Sequence, residues 1–199
     1  WNYAIECIKT NFFDRVAVTL YADWNTHEYG AVSIPENARM TLNLNGHKID
    51  RDMGSVWNGE VIYVSTNADV IINDGTIKGG FSNSEGGGLY IEGGANVTLN
   101  NVNIEENSVR ADDGAGIYMY GGSTLTMNGG SISSNILQRG SSLADEYGAG
   151  IYAEDSTVTL IGVTLKNNGC GGPKAGMIYG SAIYSTSSTV TLKDCTVES

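Results

Sequence analysis

The sequence predicts an all-β chain wound into stacked coils, and three observations carry that prediction. First, an aliphatic-Tyr pair recurs as Ile62-Tyr63, Leu89-Tyr90, Ile117-Tyr118, Ile151-Tyr152 and Ile183-Tyr184, with 27, 28, 34 and 32 residues between successive tyrosines. Repeats of this period mark solenoids, propellers and arrays. Second, two further short apolar segments follow each pair. They register on Leu44, Ile72, Leu99, Met127, Leu160 and Leu192, then on Ile49, Ile77, Ile104, Ile132, Leu165 and Val197, five residues later each time. Third, glycine supplies 27 of 199 residues and proline only 2, so the turns rest on residues that tolerate positive φ. Propeller blades need roughly 40–50 residues, longer than these intervals. The reading is a right-handed parallel β-helix: about six coils, three short strands per coil, coils about 4.8 Å apart.

Taken in order, residues 1–14 predict a helical cap. Trp1, Ala4, Ile5 and Ile8 fall on one face of a short amphipathic helix, and Asn11 is a stop. Such a cap covers the first exposed coil of a solenoid. Residues 15–199 form the β-helix, beginning with the β-branched stretch from Arg15 to Tyr21. The corner between the second and third strands carries Asn45-Gly46, Asp74-Gly75, Asn100-Asn101 and Asn128-Gly129. Asn107, Asn135 and Asn168 each stand three residues past the third-strand anchor, placed for a hydrogen-bonded side-chain stack along the axis. The chain then enters loops at 78–87, 107–114, 135–148 and 168–181, which hold all the length variation. Insertions confined to one face of a solenoid tend to mark its working face. The chain ends inside the sixth coil without a cap, which predicts an open, association-prone edge and a larger surface protein around this segment.

The segments Gly-Ala-Gly-Ile-Tyr at 114–118 and 148–152, Gly-Ser-Ala-Ile-Tyr at 180–184, and the Ile-x-x-Asn endings resemble repeats of bacterial surface proteins of the polymorphic outer-membrane-protein type. Those repeats carry Gly-Gly-Ala-Ile and Phe-x-x-Asn; Ile104, Ile132 and Leu165 stand here at the Phe position. More broadly, residues 16–199 resemble right-handed β-helix domains of secreted and cell-surface bacterial proteins. The resemblance implies the fold and an extracellular or cell-surface location. It does not choose an activity, because the same fold also hosts pectate-lyase-like and glycosidase enzymes.

Strand alternation sorts the first strand of each coil. Ile62 and Val64, Leu89 and Ile91, Ile117 and Met119, and Ile151 and Ala153 share the inward parity. Tyr63, Tyr90, Tyr118, Tyr120, Tyr152 and Tyr184 share the other with Glu92 and Glu154, which places them outside. The same parity puts Val61, Gly88, Gly116, Gly150 and Ala182 outside, as a trough of small residues beside a row of rings. Ring faces suit sugar C–H groups, so these six tyrosines are the ligand-binding candidates for a polysaccharide or host glycan; mutual stacking is the architectural alternative.

Acids gather at the loop ends. Asp112, Asp113, Asp145 and Glu146 are the catalytic candidates if the chain is an enzyme, since paired carboxylates serve glycoside hydrolysis. A lyase would take its base from Arg110, Arg139 or Lys174. No organic cofactor is implied; Glu85, Asp113 and Glu146 form a candidate Ca²⁺ site through carboxylate oxygens. Cys7, Cys170 and Cys195 match no zinc spacing and predict unpaired thiols. With 11 Lys and Arg against 22 Asp and Glu, the net charge of −11 repels phosphate backbones and anionic lipid, and no apolar run spans a bilayer. The sequence reading is an adhesin or glycan-binding spacer of a bacterial surface protein, with a polysaccharide hydrolase or lyase and a purely structural stalk as alternatives.

Overall fold

The computed structural model describes residues 15–52, 59–110, 112–138, 145–171 and 177–198. They form a parallel β-solenoid of about six coils with no helix among them. The predicted cap at 1–14 lies outside the described residues. Two sheets run the length of the stack because each coil repeats the same inward and outward alternation; a third, of four strands, covers the middle coils, and Glu146–Tyr147 pairs separately with Ile178–Tyr179.

The front sheet contains Val32–Ile34, Ile62–Val64, Leu89–Ile91, Ile117–Met119, Ile151–Glu154 and Ile183–Thr186, each parallel to the next. Its pairing sets Tyr63, Tyr90, Tyr118, Tyr152 and Tyr184 in one register column. The long sheet runs through Val16–Thr19, Arg39–Asn43, Asp69–Lys78, Asn96–Glu105, Thr124–Ser133, Thr157–Ile161 and Thr189–Lys193. Here the expected second and third strands merge. In the three middle coils they are one ten-residue strand bent at a left-handed residue: Asp74 (φ 53°), Asn101 (φ 51°) and Gly129 (φ 67°). Asn, Asp and Gly tolerate that conformation, which turns the chain without ending the ladder.

The side sheet was not anticipated. Phe81–Ser82, Ser108–Arg110, Ile136–Gln138 and Gly169–Gly171 pair in parallel inside the segments read as loops. A coil therefore still carries three strands, but the third lies beyond the Asn corner.

One register expectation fails. Leu42, not Leu44, pairs with Ile72. The first coil carries two extra residues, with Asn45 and Gly46 both at positive φ. Leu44 is buried over the next coil at Gly75, where a Cβ would stand 2.4 Å from that of Leu44. The other five anchors pair as expected, Ile72–Leu99–Met127–Leu160–Leu192, and the second set pairs from Ile49 to Val197.

The interior is a set of aliphatic columns. Ile72, Leu99, Met127 and Leu160 are wholly buried, as are Ile77, Ile104, Ile132 and Leu165. Each such side chain contributes roughly 1.5–3 kcal/mol by leaving water. In the last described coil the same columns emerge: Leu192 is 46% exposed and Val197 57%. The Asn stack forms as expected. Asn107 Nδ2 donates to Asn135 Oδ1 at 3.0 Å, and Asn135 Nδ2 to Asn168 Oδ1 at 3.0 Å. A second column, Asn43–Asn73–Asn100–Asn128, links the long sheet at 2.8, 2.8 and 2.9 Å.

Candidate functional site

Tyrosine alternates with buried aliphatics in the front sheet, so each ring leaves the coil at the same azimuth. Coils one inter-strand spacing apart then bring the rings into contact. Centroid separations are 5.2 Å for Tyr63–Tyr90, 5.2 Å for Tyr90–Tyr118, 5.1 Å for Tyr118–Tyr152 and 5.5 Å for Tyr152–Tyr184. Interplanar angles of 11°, 27°, 7° and 22° make these face-to-face stacks. The ring faces are thus occupied by neighbouring rings, and the rim of the column offers ring edges and hydroxyls. Tyr120 leaves the column: it lies edge-on to Tyr90 at 6.1 Å and 73°, and tilted on Tyr118.

The trough of small residues is not there. Val61, Gly88, Gly116 and Gly150 are buried, and Ala182 packs on the core. A Cβ at Gly88 would meet the Gly116 carbonyl oxygen at 2.5 Å and Asn107 Nδ2 at 2.9 Å. These residues let the chain pass beneath its neighbour beside the Asn stack. The alternation argument fails for them because a bend separates them from the strand.

Four of the phenols are held neutral. Burial raises the Tyr63, Tyr90 and Tyr118 hydroxyls well above their ordinary range and takes Tyr152 up to about 12. Tyr63 also donates to Glu92 Oε1, while Glu92 Oε2 accepts from Thr66 N at 2.9 Å and Thr66 Oγ1 at 3.1 Å. Burial alone would push the Glu92 carboxyl up; these donors outweigh it and hold it below the usual range. This clamp went unread in the sequence, where Glu92 served only to mark the outward face.

The structure gathers part of the acid set. Asp113 feels the charges of Asp112, Glu85 and Glu146, and Glu85 also acts on Tyr90 and Tyr118. Burial pushes the Asp113 carboxyl up to about 6, against the hydrogen bond that its Oδ1 accepts from Tyr147 N at 2.7 Å. Asp112 is also raised, by burial and then by Glu85. Glu146 is buried. Asp145 accepts from Met177 N at 3.1 Å, and its charge acts on Tyr147 as that of Asp113 does. Asp113 and Asp145 each bind a backbone N–H of the following coil, so both help to join coils. Among the described residues no three His, Cys, Asp or Glu side chains stand so as to hold a metal ion, which leaves the Ca²⁺ expectation at Glu85, Asp113 and Glu146 without support. Of the lyase-base candidates, Arg139 and Lys174 lie outside the described residues. Cys170 and Cys195 are free thiols; Cys7 lies outside the described residues. No described helix is long and apolar enough to cross a membrane.

No curated protein and no solved structure matches the chain. One family does, described as the right-handed beta helix region, over residues 31–199. That span covers every coil from the first front-sheet strand onward, with the tyrosine column, the Asn stack and the acid cluster inside it. The chain therefore belongs to the right-handed β-helix family.

Proposed function

We propose that this chain is a non-enzymatic module of a bacterial extracellular surface protein, a rigid shaft that meets a glycan along its tyrosine row. The single observation behind this reading is the stacked column. Five rings lock one another along the axis with centroids about 5 Å apart, and the outward parity of their strands carries the hydroxyls to the rim of the column. Hydroxyl groups that both donate and accept suit a hydroxyl-rich polymer laid along the shaft. The mode of contact differs from the sequence expectation: edges and hydroxyls meet the ligand in place of ring faces.

A glycan array on the intact chain tests the reading, followed by the double substitution Tyr118→Phe with Tyr152→Phe. Phenylalanine keeps the stack and removes two hydroxyls. Glycan affinity should fall at least tenfold with the fold unchanged; affinity equal to that of the unsubstituted chain refutes the hydroxyl row. One observation favours a second reading, a polysaccharide hydrolase. Asp113, raised to about 6 beside other carboxylates, has the proton affinity of a general acid. Reducing-sugar release from acidic and neutral polysaccharides, abolished by Asp113→Asn, would establish it.

A further inference from the structure

Two clefts lie toward the N-terminal end of the stack, the second of them beside the side sheet, which reads as loop in the sequence. The first, about 380 Å³, is lined by Asn25, His27, Glu28, Tyr29 and Asp52. The second, about 310 Å³, runs past Lys78, Phe81, Glu106 and Gln138. Asp52 lines both, so the two clefts adjoin at that residue and together make a shallow groove. The groove follows the axis. Asn25 pairs with Asp50, Asp50 with Lys78, and Phe81 with Ser108, which in turn pairs with Ile136 two residues before Gln138. Four coil steps of about 4.8 Å make it roughly 19 Å long.

Its near end is built and held. Arg51 is buried and donates through its guanidinium to the carbonyl oxygens of Thr26 at 2.6 Å and His27 at 3.3 Å, fixing the backbone from beneath. His27 N donates to Asn25 Oδ1 at 2.9 Å, and Asn25 Nδ2 to Asp52 Oδ2 at 3.3 Å. The His27 ring meets the Asp52 carbonyl oxygen through Nδ1 at 3.0 Å. A carbonyl only accepts, so Nδ1 carries a proton, and in the neutral imidazole Nε2 is the acceptor. Tyr29 is 78% exposed, so most of its ring is open, unlike the stacked rings of the front sheet.

Charge selects among sugars. Lys48 pairs with Asp50 at 3.0 Å, and Lys78 pairs with Glu106. Glu28 and Asp52 set a negative potential around Tyr29, offset in part by Lys48, whose charge also reaches Asp52, while the Arg51 cation is turned to the carbonyls beneath them. We propose that this groove binds a linear glycan whose sugar at Tyr29 carries a free amine. The C–H face of that sugar lies on the Tyr29 ring. Its ammonium meets Glu28 and Asp52 by charge-assisted hydrogen bonds. Asn25 and His27 Nε2 take hydroxyls, and the next sugars pass Phe81 toward Gln138. The proposal rests on the glycan reading above and moves the specific contact to another face.

The test is titration of the isotope-labelled chain, followed by amide chemical shifts, with a glucosamine trimer and with its fully N-acetylated counterpart. Shifts should centre on 25–29, 52 and 78–81, and the trimer with free amines should bind at least tenfold more tightly. Tyr29→Ala should weaken it at least tenfold. Asp52→Asn, an exchange that the left-handed backbone at φ 49° accepts, should reduce the preference for the amine. Shifts confined to the tyrosine row would overturn the groove and leave the glycan reading standing. Equal affinity for the two trimers, or an unaffected Tyr29→Ala, would overturn the proposal. Binding of neither trimer would overturn it too, and only a blank glycan array would remove the wider reading as well.

Discussion

Removing one member of the Asn stack should cost far more stability than its size suggests. Asn135 is wholly buried, and its side chain makes four hydrogen bonds. It accepts from Asn107 N at 3.1 Å and Asn107 Nδ2 at 3.0 Å, and donates to the Ile104 carbonyl at 3.0 Å and to Asn168 Oδ1 at 3.0 Å. Asn135→Ala leaves the Asn107 N–H without its acceptor and weakens the others. Asn107 Nδ2 keeps a long bond to the Ile77 carbonyl, and Asn168 Oδ1 keeps the Asn135 N–H. Each stranded buried group costs about 1–3 kcal/mol, so the sum is about 3–5 kcal/mol. For a domain of this length that lowers Tm by roughly 10 °C. The matched control is Asn100→Ala, in the half-buried column that Asn73 and Asn128 share. There water replaces the lost partners, and the loss should be about 1 kcal/mol. Chemical denaturation followed by circular dichroism measures both, and hydrogen exchange should localise the Asn135 defect to the coils on either side. Equal losses for the two variants would refute the claim that the buried stack holds the coils in register.

Three further variants probe the contacts between coils and at their turns. Asp113→Asn keeps an acceptor for Tyr147 N and removes the titration. A carboxyl raised to about 6 in the fold, against about 3.9 unfolded, favours folding below pH ~4 and loses that contribution as pH rises through about 6. Two units correspond to at most about 2.7 kcal/mol, and solvent screening around a half-exposed group reduces this to about 1 kcal/mol. The variant should match the unsubstituted chain at pH 4 and exceed it by that amount at pH 7.5 in urea denaturation; a constant difference between those pH values would sink the argument. Gly116→Ala would place a Cβ 2.4 Å from the Gly150 carbonyl oxygen and should cost about 2–4 kcal/mol in thermal melts. Gly122→Ala, at φ +82° in open space, should cost only the left-handed penalty of about 1–2 kcal/mol.

What the sequence made legible follows from which features repeat locally. The tyrosine column and the aliphatic columns each place one residue per coil on a constant face, so period and parity find them together. The Asn stack was readable because Asn107, Asn135 and Asn168 keep a fixed distance from a buried anchor. Leu44 misled for a physical reason: a slip of two residues leaves the side chain on the same face, so alternation cannot distinguish Leu44 from Leu42. The side sheet stayed hidden because its strands are two or three residues long, with a single apolar residue such as Val109 or Leu137 turned inward.

The two candidate faces differ in a way that bears on which one carries specificity. In the tyrosine row five successive coils supply the same residue, so the surface is uniform along that stretch and every ring contacts its own kind. A uniform row offers affinity through repetition, and a ligand shifted by one coil finds nearly the same partners. The side groove draws His27, Asp52, Phe81 and Gln138 from different coils, and no two positions along it are chemically equivalent. Only an irregular surface fixes the register and direction of a chain lying in it. The coil stack supplies the rigidity that both faces need, because its strand ladders, Asn stacks and buried columns run between coils. On the proposed reading the shaft holds a polymer loosely along one face and reads one particular sugar on another, and the Tyr118, Tyr152 and Tyr29 variants together separate the two contributions.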